Sequence, residues 1–343
     1  LIPPSVVMVI YAVLTEQNIA KLFLVAIVPG VLAALGYVLA ISVYVRVKPG
    51  AVAVRAALPM AARVRALAGV WPVMLVFALV VGGIYGGLFT PTEGAAVGAL
   101  GTGLIAAASG ALGWRALGEA ITATASSTAM IFFIVLGAAF YNGFLALTQV
   151  PQGLAEWVVA QGFGPYMVLV VILLIYLVLG CVMDSLSMIL LTIPIFYPIV
   201  AGLEFGLVDF TALQLDEAAR ILAGGVSEGI APDMLAGIRA ALAEGAALSR
   251  DQARALGVGI TEARAALIGA EHLALWFGVL VLIVVEVGLI TPPVGMILFI
   301  INTMDRDTPM VETYRAVMWF LASDMLRVAL LIAFPAITLF VLG

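Results

Sequence analysis

The sequence predicts an all-α polytopic membrane protein with discontinuous helices, a re-entrant helical hairpin and an inverted repeat. Three observations carry that expectation. Hydrophobic residues make up 64% of the 343 and charged residues only 10%, whereas a soluble globular chain is about half apolar and a quarter charged. The apolar run Leu273–Ile301 is broken in its middle by Gly288-Leu289-Ile290-Thr291-Pro292-Pro293-Val294-Gly295. The same rare double-proline device occurs once more, at Leu1-Ile2-Pro3-Pro4-Ser5. Proline removes a backbone donor and clashes with the preceding turn, and glycine lets the chain leave helical angles. In a bilayer the freed backbone groups must be buried in protein or line a polar cavity. Broken helices at membrane depth are how transporters commonly hold ions.

At about 20 residues per span, the apolar runs allow about seven or eight crossings plus one re-entrant element. Leu1–Leu14 reads as a half-helix ending at Thr15-Glu16-Gln17-Asn18, so residues 1–21 form the C-terminal part of a first broken helix. Because nothing before Leu1 supplies the first half, the sequence is expected to be a fragment without its N-terminal part. Residues 22–124 are linking or scaffold helices. They comprise a span Leu22–Val45 with a kink expected at Pro29-Gly30, a return Val70–Phe89, and a helix Glu93–Ser109 begun by Thr90-Pro91-Thr92-Glu93. Arg46, Lys48, Arg55, Arg63 and Arg65 stand between the first two with no acid among them, which places that connection in the cytoplasm. Gly110–Glu119 is expected to be a loop on the same side.

Residues 125–202 form the second repeat. Its parts are a span Ala125–Leu147, an interfacial helix Pro151–Gln161, and two short arms, Tyr166–Val182 and Met188–Val200. The arms flank the polar tip Gly180-Cys181-Val182-Met183-Asp184-Ser185-Leu186-Ser187, and together they read as a hairpin entering and leaving on one face. Residues 203–271 differ in kind, holding half of the 20 acids and five arginines. Apolar residues there recur at helical spacing, as in Met234, Leu235, Ile238, Ala241 and Leu242, so the segment reads as an extramembrane helical insert. Residues 272–302 carry the second broken helix, and 303–343 a loop, Asn302–Arg315, and a final span, Trp319–Leu342. Counting crossings from a cytoplasmic Arg46–Arg65 puts the hairpin mouth and the insert outside. It also makes the two broken helices run in opposite directions.

One histidine, His272, one cysteine, Cys181, and no clustered carboxylates leave no metal site, Cys/His pair or phosphate loop, so no enzyme active site is expected. A hard cation such as Na+ wants several oxygen ligands, and unwound carbonyls supply them without a buried charge. The Gly288 and Val294 carbonyls with the Thr291 hydroxyl form one half of such a cage, and the hairpin tip around Gly180 the other. Helix N-termini at the same breaks favour an anionic solute. Asp184 at the tip is an ionisable group at membrane depth, which makes it a candidate for the ion or substrate path along with Ser185, Ser5, Pro292 and Pro293. Asp184 and Glu286 equally suit a role capping or orienting helices, and Glu93 reads as an N-terminal cap.

The motifs Leu1-Ile2-Pro3-Pro4-Ser5, Tyr85-Gly86-Gly87-Leu88-Phe89-Thr90-Pro91-Thr92-Glu93-Gly94-Ala95-Ala96, Ile193-Pro194-Ile195-Phe196-Tyr197-Pro198, Phe277-Gly278-Val279 and Gly288-Leu289-Ile290-Thr291-Pro292-Pro293-Val294-Gly295 stand in order along most of the chain outside the insert. In them the sequence resembles the large membrane (M) subunit of tripartite ATP-independent periplasmic (TRAP) transporters. The resemblance implies an elevator-type secondary transporter of the bacterial inner membrane, driven by a Na+ gradient. It implies a small organic acid as substrate, delivered by a periplasmic binding protein, and a small Q-type membrane subunit as partner. Beyond the bilayer and these, no partner is implied, nucleic acid included, and no covalent cofactor. Carried over by motif, the family's second Na+ site falls on Gly180, Gly288, Thr291 and Val294. Ser5 with Pro3-Pro4 matches the first broken helix, whose partner hairpin would precede Leu1, so one ion site is expected to be incomplete. The long insert departs from the family's usual short connection; it reads first as a solvated loop elaboration, with docking of the binding protein as the alternative. Open alternatives are a single-component carboxylate or ion transporter, a membrane enzyme or scaffold, and a transport-inactive fragment.

Overall fold

The computed structural model describes residues 5–48, 59–225, 230–304 and 308–342, and every regular element among them is a helix. Pro3 and Pro4 of the first double-proline element, Arg55, and Asp305 to Asp307 lie outside the described residues. The chain divides into two compact units, Leu1–Gly202 with Trp276–Gly343, and Leu203–Leu275.

The larger unit opens with α1 (Val6–Leu14) and α2 (Ile19–Val47). The Asn18 side chain starts α2 by accepting hydrogen bonds from the Ala20 and Lys21 amides at 2.9 and 3.2 Å. The helix runs unbroken through Pro29. Then come α3 (Met60–Gly69), α4 (Trp71–Tyr85) and α5 (Pro91–Ala108). Thr90 and Glu93 close a reciprocal capping box at the start of α5. Gly94, Gly98 and Gly101 line one face of α5, where an added Cβ would come within 2.8, 3.2 and 3.1 Å of Ile84, Val80 and Val76 side chains of α4. That stripe of small residues is what lets α4 and α5 pack as a tight pair.

A single helix, α6 (Trp114–Thr148), follows, then α7 (Val150–Ala160). The loop expected at Gly110–Glu119 is thus confined to its first residues, and the span expected from Ala125 begins eleven residues earlier. Hydropathy ended the span at polar residues that the helix tolerates: Arg115 pairs with Glu119 at 3.0 Å, and Thr122 and Thr124 return their hydroxyls to carbonyls one turn back. The hairpin arms are α8 (Pro165–Gly180) and α9 (Ser185–Ala201). Between them the Tyr176 and Thr192 hydroxyls lie 2.8 Å apart in the interior.

The smaller unit holds α10 (Phe210–Ala223), α11 (Pro232–Glu244) and α12 (Arg250–Leu256). They enclose a core of Ala218, Ile238, Ala241, Leu248 and Leu256. Ser249 and Gln252 form the capping box of α12, and Gly245 and Gly257 end their helices at φ 68° and 77°, the left-handed region suited to glycine.

The chain continues in α13 (Glu262–Leu289), which starts eleven residues before the apolar run that defined it in the sequence. After the break come α14 (Met296–Met304), α15 (Met310–Ala333), α16 (Ala336–Leu339) and a 3₁₀ turn. The final span differs from the expected Trp319–Leu342. It begins just after Pro309 and stops at Phe334, because the residue before a proline is steered away from helical angles and Pro335 cannot donate. Four helices among the described residues are long and apolar enough to cross a membrane alone: α2, α6, α13 and α15. Five qualify if α3 and α4, bent by 55°, count as one. The larger number read from the sequence counted interrupted runs as crossings. Buried residues make up 89% of the most apolar stretch of α13 and 11% of that of α6. From Trp276 to Val285 no α13 side chain exceeds 4% exposure, so α13 is the axis of the larger unit. Trp276 Nε1 donates to the Leu331 carbonyl of α15 at 2.9 Å, and Gly278 leaves room for the buried Tyr11 ring of α1.

Candidate functional site

The C-terminal ends of α8 and α13 meet backbone to backbone. An added Cβ on Gly180 would lie 2.9 Å from Gly288 Cα and 3.1 Å from the Val285 carbonyl oxygen. One on Gly288 would lie 2.7 Å from Gly180 Cα. Only glycine at both positions permits this approach, since a main chain cannot swing away as a side chain can. Two helices therefore end side by side, and their last carbonyls take donors from the turns that follow: Val178 and Leu179 from the Cys181, Val182 and Met183 amides, Val287 and Gly288 from the Ile290 and Thr291 amides.

Past Leu289 the chain unwinds. The Thr291 amide donates to Gly288 O at 3.0 Å, and the Thr291 hydroxyl donates to Val287 O at 2.7 Å. These bonds seal the end of α13 while leaving lone pairs on the Thr291 hydroxyl for a cation. Pro292 and Pro293 are joined by a cis peptide bond, and Gly295 takes φ 50°. Tyr314 of α15 donates its hydroxyl to the Pro293 carbonyl at 2.8 Å, which fixes the turn from the side. Val294 lies in the same turn, 39% exposed. Gly180, Gly288 and Thr291 are thus contiguous, and Val294 closes the break three residues on.

The tip of the hairpin is positioned separately. Asp184 caps α9, accepting from the Ser187 amide at 3.0 Å. Ser185 donates its hydroxyl to Glu286 Oε1 of α13 at 3.0 Å. The tip therefore touches the broken helix at two places, through glycine backbone and through Ser185. Ser5 stands at the N-cap of α1 without a side-chain capping bond, and among the described residues no hydrogen bond joins it to this cluster.

A polar group that sequence reasoning passed over lies nearby. Asp324 and Arg327 of α15 are 1% and 7% exposed. Arg327 Nη2 stands 2.8 Å from Asp324 Oδ1, but the angle is not that of a hydrogen bond, so the attraction is between charges. Tyr37 of α2 donates to Asp324 Oδ2 at 2.8 Å, while Arg327 Nε and Nη1 have no hydrogen-bond partner among the described residues. The signal was available: opposite charges three residues apart inside an apolar span are rare, because burying them is costly. Tyr37, Asp324 and Arg327 share a cavity of 420 Å³ with Glu286, Val287 and Ile290 of α13. Among the described residues no three metal-ligating side chains cluster.

The family "Tripartite ATP-independent periplasmic transporter, DctM component" matches residues 1–337. The chain is 36% identical over 214 residues to a C4-dicarboxylate TRAP transporter large permease protein of Pseudomonas aeruginosa, covering 60% of this chain and 48% of that one. It is 30% identical over 223 residues to a sialic acid TRAP transporter large permease protein of Vibrio cholerae, covering 63% and 50%. It is 36% identical over 212 residues to an ectoine/5-hydroxyectoine TRAP transporter large permease protein of Ruegeria pomeroyi, covering 58% and 46%. The chain spans about half the length of these curated relatives. The match runs through the hairpin, the paired glycines and the double-proline break, and the chain belongs to the DctM component of the tripartite ATP-independent periplasmic transporters, a multi-pass protein of the inner membrane.

Proposed function

We propose that the chain serves a Na+-coupled secondary transporter that imports a small organic acid delivered by a periplasmic binding protein, working with a small Q-type membrane subunit. The observation that carries this is the contact of Gly180 with Gly288 beside an unwound segment that interrupts a long apolar run. It gathers oxygens from two helix ends and the Thr291 hydroxyl, and Na+ coordination needs such oxygens without a fixed negative charge. The relatives' names support the solute class: a C4-dicarboxylate, a sialic acid and an ectoine all carry carboxylates. Proximity of the Ser185 tip to the break supports a solute path beside the ion, with Asp184, Pro292 and Pro293 in its wall. Transport by elevator motion of an inverted repeat is the accompanying mechanism, and transport rather than catalysis is the activity.

The test is uptake of a labelled carboxylate into proteoliposomes holding the full-length permease with its small subunit and binding protein. Uptake is expected only with an inward Na+ gradient. Thr291→Ala removes one neutral oxygen ligand, and a ligand bond to a charge contributes about 1.5–3 kcal/mol, so the half-saturating Na+ concentration should rise at least about tenfold. Uptake without the binding protein would point to a single-component transporter. Uptake indifferent to Na+ and to Thr291→Ala would remove the ion assignment.

A further inference from the structure

Arg327 of α15 is nine-tenths buried and lines the 420 Å³ cavity, yet two of its three nitrogens, Nε and Nη1, have no hydrogen-bond partner among the described residues. A guanidinium keeps its proton in a protein, and a donor withheld from water costs free energy until an acceptor meets it. Asp324 is not that acceptor. Its Oδ1 stands 2.8 Å from Nη2, and its Oδ2 already accepts from Tyr37. Glu286 lines the same cavity but is exposed, and it accepts from Ser185 on the hairpin tip. Most of the remaining lining is apolar, with Ala33 and Ala34 of α2 and Ile283 and Ile290 of α13 among it. A largely apolar cavity with a few convergent polar groups is the pattern of a small-molecule site.

We propose that this cavity holds a small organic carboxylate, with Arg327 donating to its oxygens and the apolar walls covering its carbon frame. The charges decide what holds the ligand. Arg327 and Asp324 offset each other, so hydrogen bonds rather than net charge bind the acid, and bonds between two ionised groups are roughly twice as strong as neutral ones. Glu286, being exposed, stays hydrated, and its repulsion is screened. An inorganic anion such as chloride would meet the same donors but leave the apolar walls bare, which favours the organic acid. The cavity reaches Val287 and Ile290 at the end of α13, so an acid bound here adjoins the oxygens proposed for Na+. That the bound acid is the transported solute rests on the proposed function; the site itself rests on the cavity and its donors.

The test is thermal unfolding of the full-length permease purified with its small subunit, titrated at constant ionic strength and fixed pH. The probes are acetate, succinate, a sialic acid and ectoine, with chloride as the inorganic reference, in potassium buffer and again in sodium buffer. At least one carboxylate is expected to stabilise the wild type beyond chloride, and a response in either buffer supports the site. Arg327→Lys keeps the charge but loses the guanidinium donors, and it should need at least about tenfold more of that acid. Arg327→Gln combined with Asp324→Asn removes both charges together, leaves no lone buried carboxylate, and should abolish the response. Ala33→Leu narrows the cavity while leaving the ion pair in place; it should weaken binding as well, and it serves if the Arg327 variants fail to fold. Gly137→Ala should titrate as the wild type does. A purely structural Arg327 would lower the unfolding temperature of Arg327→Lys with and without acid alike, leaving the half-saturating acid concentration unchanged, and that would overturn the site. So would a wild type that answers no carboxylate more than chloride in either buffer. Because binding is read directly, absence of Na+-driven uptake would count against the transport reading and leave this result standing.

Discussion

Single residues decide whether the two helix ends can meet. Gly180→Ala or Gly288→Ala places a methyl within 3 Å of main-chain atoms of the opposite helix. Backbone cannot yield as a side chain can, so each change should cost about 1–3 kcal/mol, the usual range for overpacking, and should separate α8 from α13. The check is thermal unfolding together with Na+ affinity, both of which should fall. Gly137→Ala in α6 is the matching control, since an added Cβ there meets nothing within 4 Å. It should be neutral or slightly stabilising, as alanine has the better helix propensity. Residue identity was legible in the sequence here because glycine pairs and Pro-Pro are rare and conspicuous. The Ser185–Glu286 and Tyr37–Asp324 bonds were not, since their partners stand 101 and 287 residues apart.

Elements follow local rules where the chain is polar and tertiary rules where it is apolar. The smaller unit shows the first case: Asp209, Ser249 and Pro232 start its helices, and Gly245 and Gly257 end two of them. Its core is small, so one buried side chain matters. Ile238 is fully buried, and Ile238→Ala should destabilise the unit by about 2–5 kcal/mol. Limited proteolysis should then cut within 203–275 while the membrane helices stay intact. The helix boundaries misread in the sequence share one cause. Hydropathy marks where a bilayer is tolerated, whereas α6 and α13 extend through Arg115, Glu119 and Glu262 because those side chains are compatible with helix geometry in any solvent.

The whole molecule raises questions of sidedness and partners. We propose that the basic run from Arg46 to Arg65 is cytoplasmic and that residues 203–271 lie on the opposite side of the membrane. In a Cys181→Ala background, Ala247→Cys should react with an impermeant maleimide added to intact spheroplasts, and Lys48→Cys only after lysis. The reverse pattern would invert the topology. A unit on the outer side is positioned to receive a binding protein, and we propose that it does. Replacing residues 209–258 with a short Gly/Ser linker should reduce binding-protein-dependent uptake several-fold while leaving the Na+ response of the membrane part unchanged. Unaltered uptake and unaltered preference among binding proteins would end that proposal.

By itself the sequence determined the solvent, the helical class and the place of the break. Composition fixes whether a chain can leave water, and proline and glycine act through their own covalent geometry wherever they stand. Its order of motifs likewise pointed to the family. Only the tertiary structure decided that Gly180 touches Gly288, that Glu286 takes Ser185 as a partner and that Asp324, Arg327 and Tyr37 share its cavity. Those contacts depend on which helix faces pack together, and facing is set by the summed fit of many side chains, which no local pattern encodes.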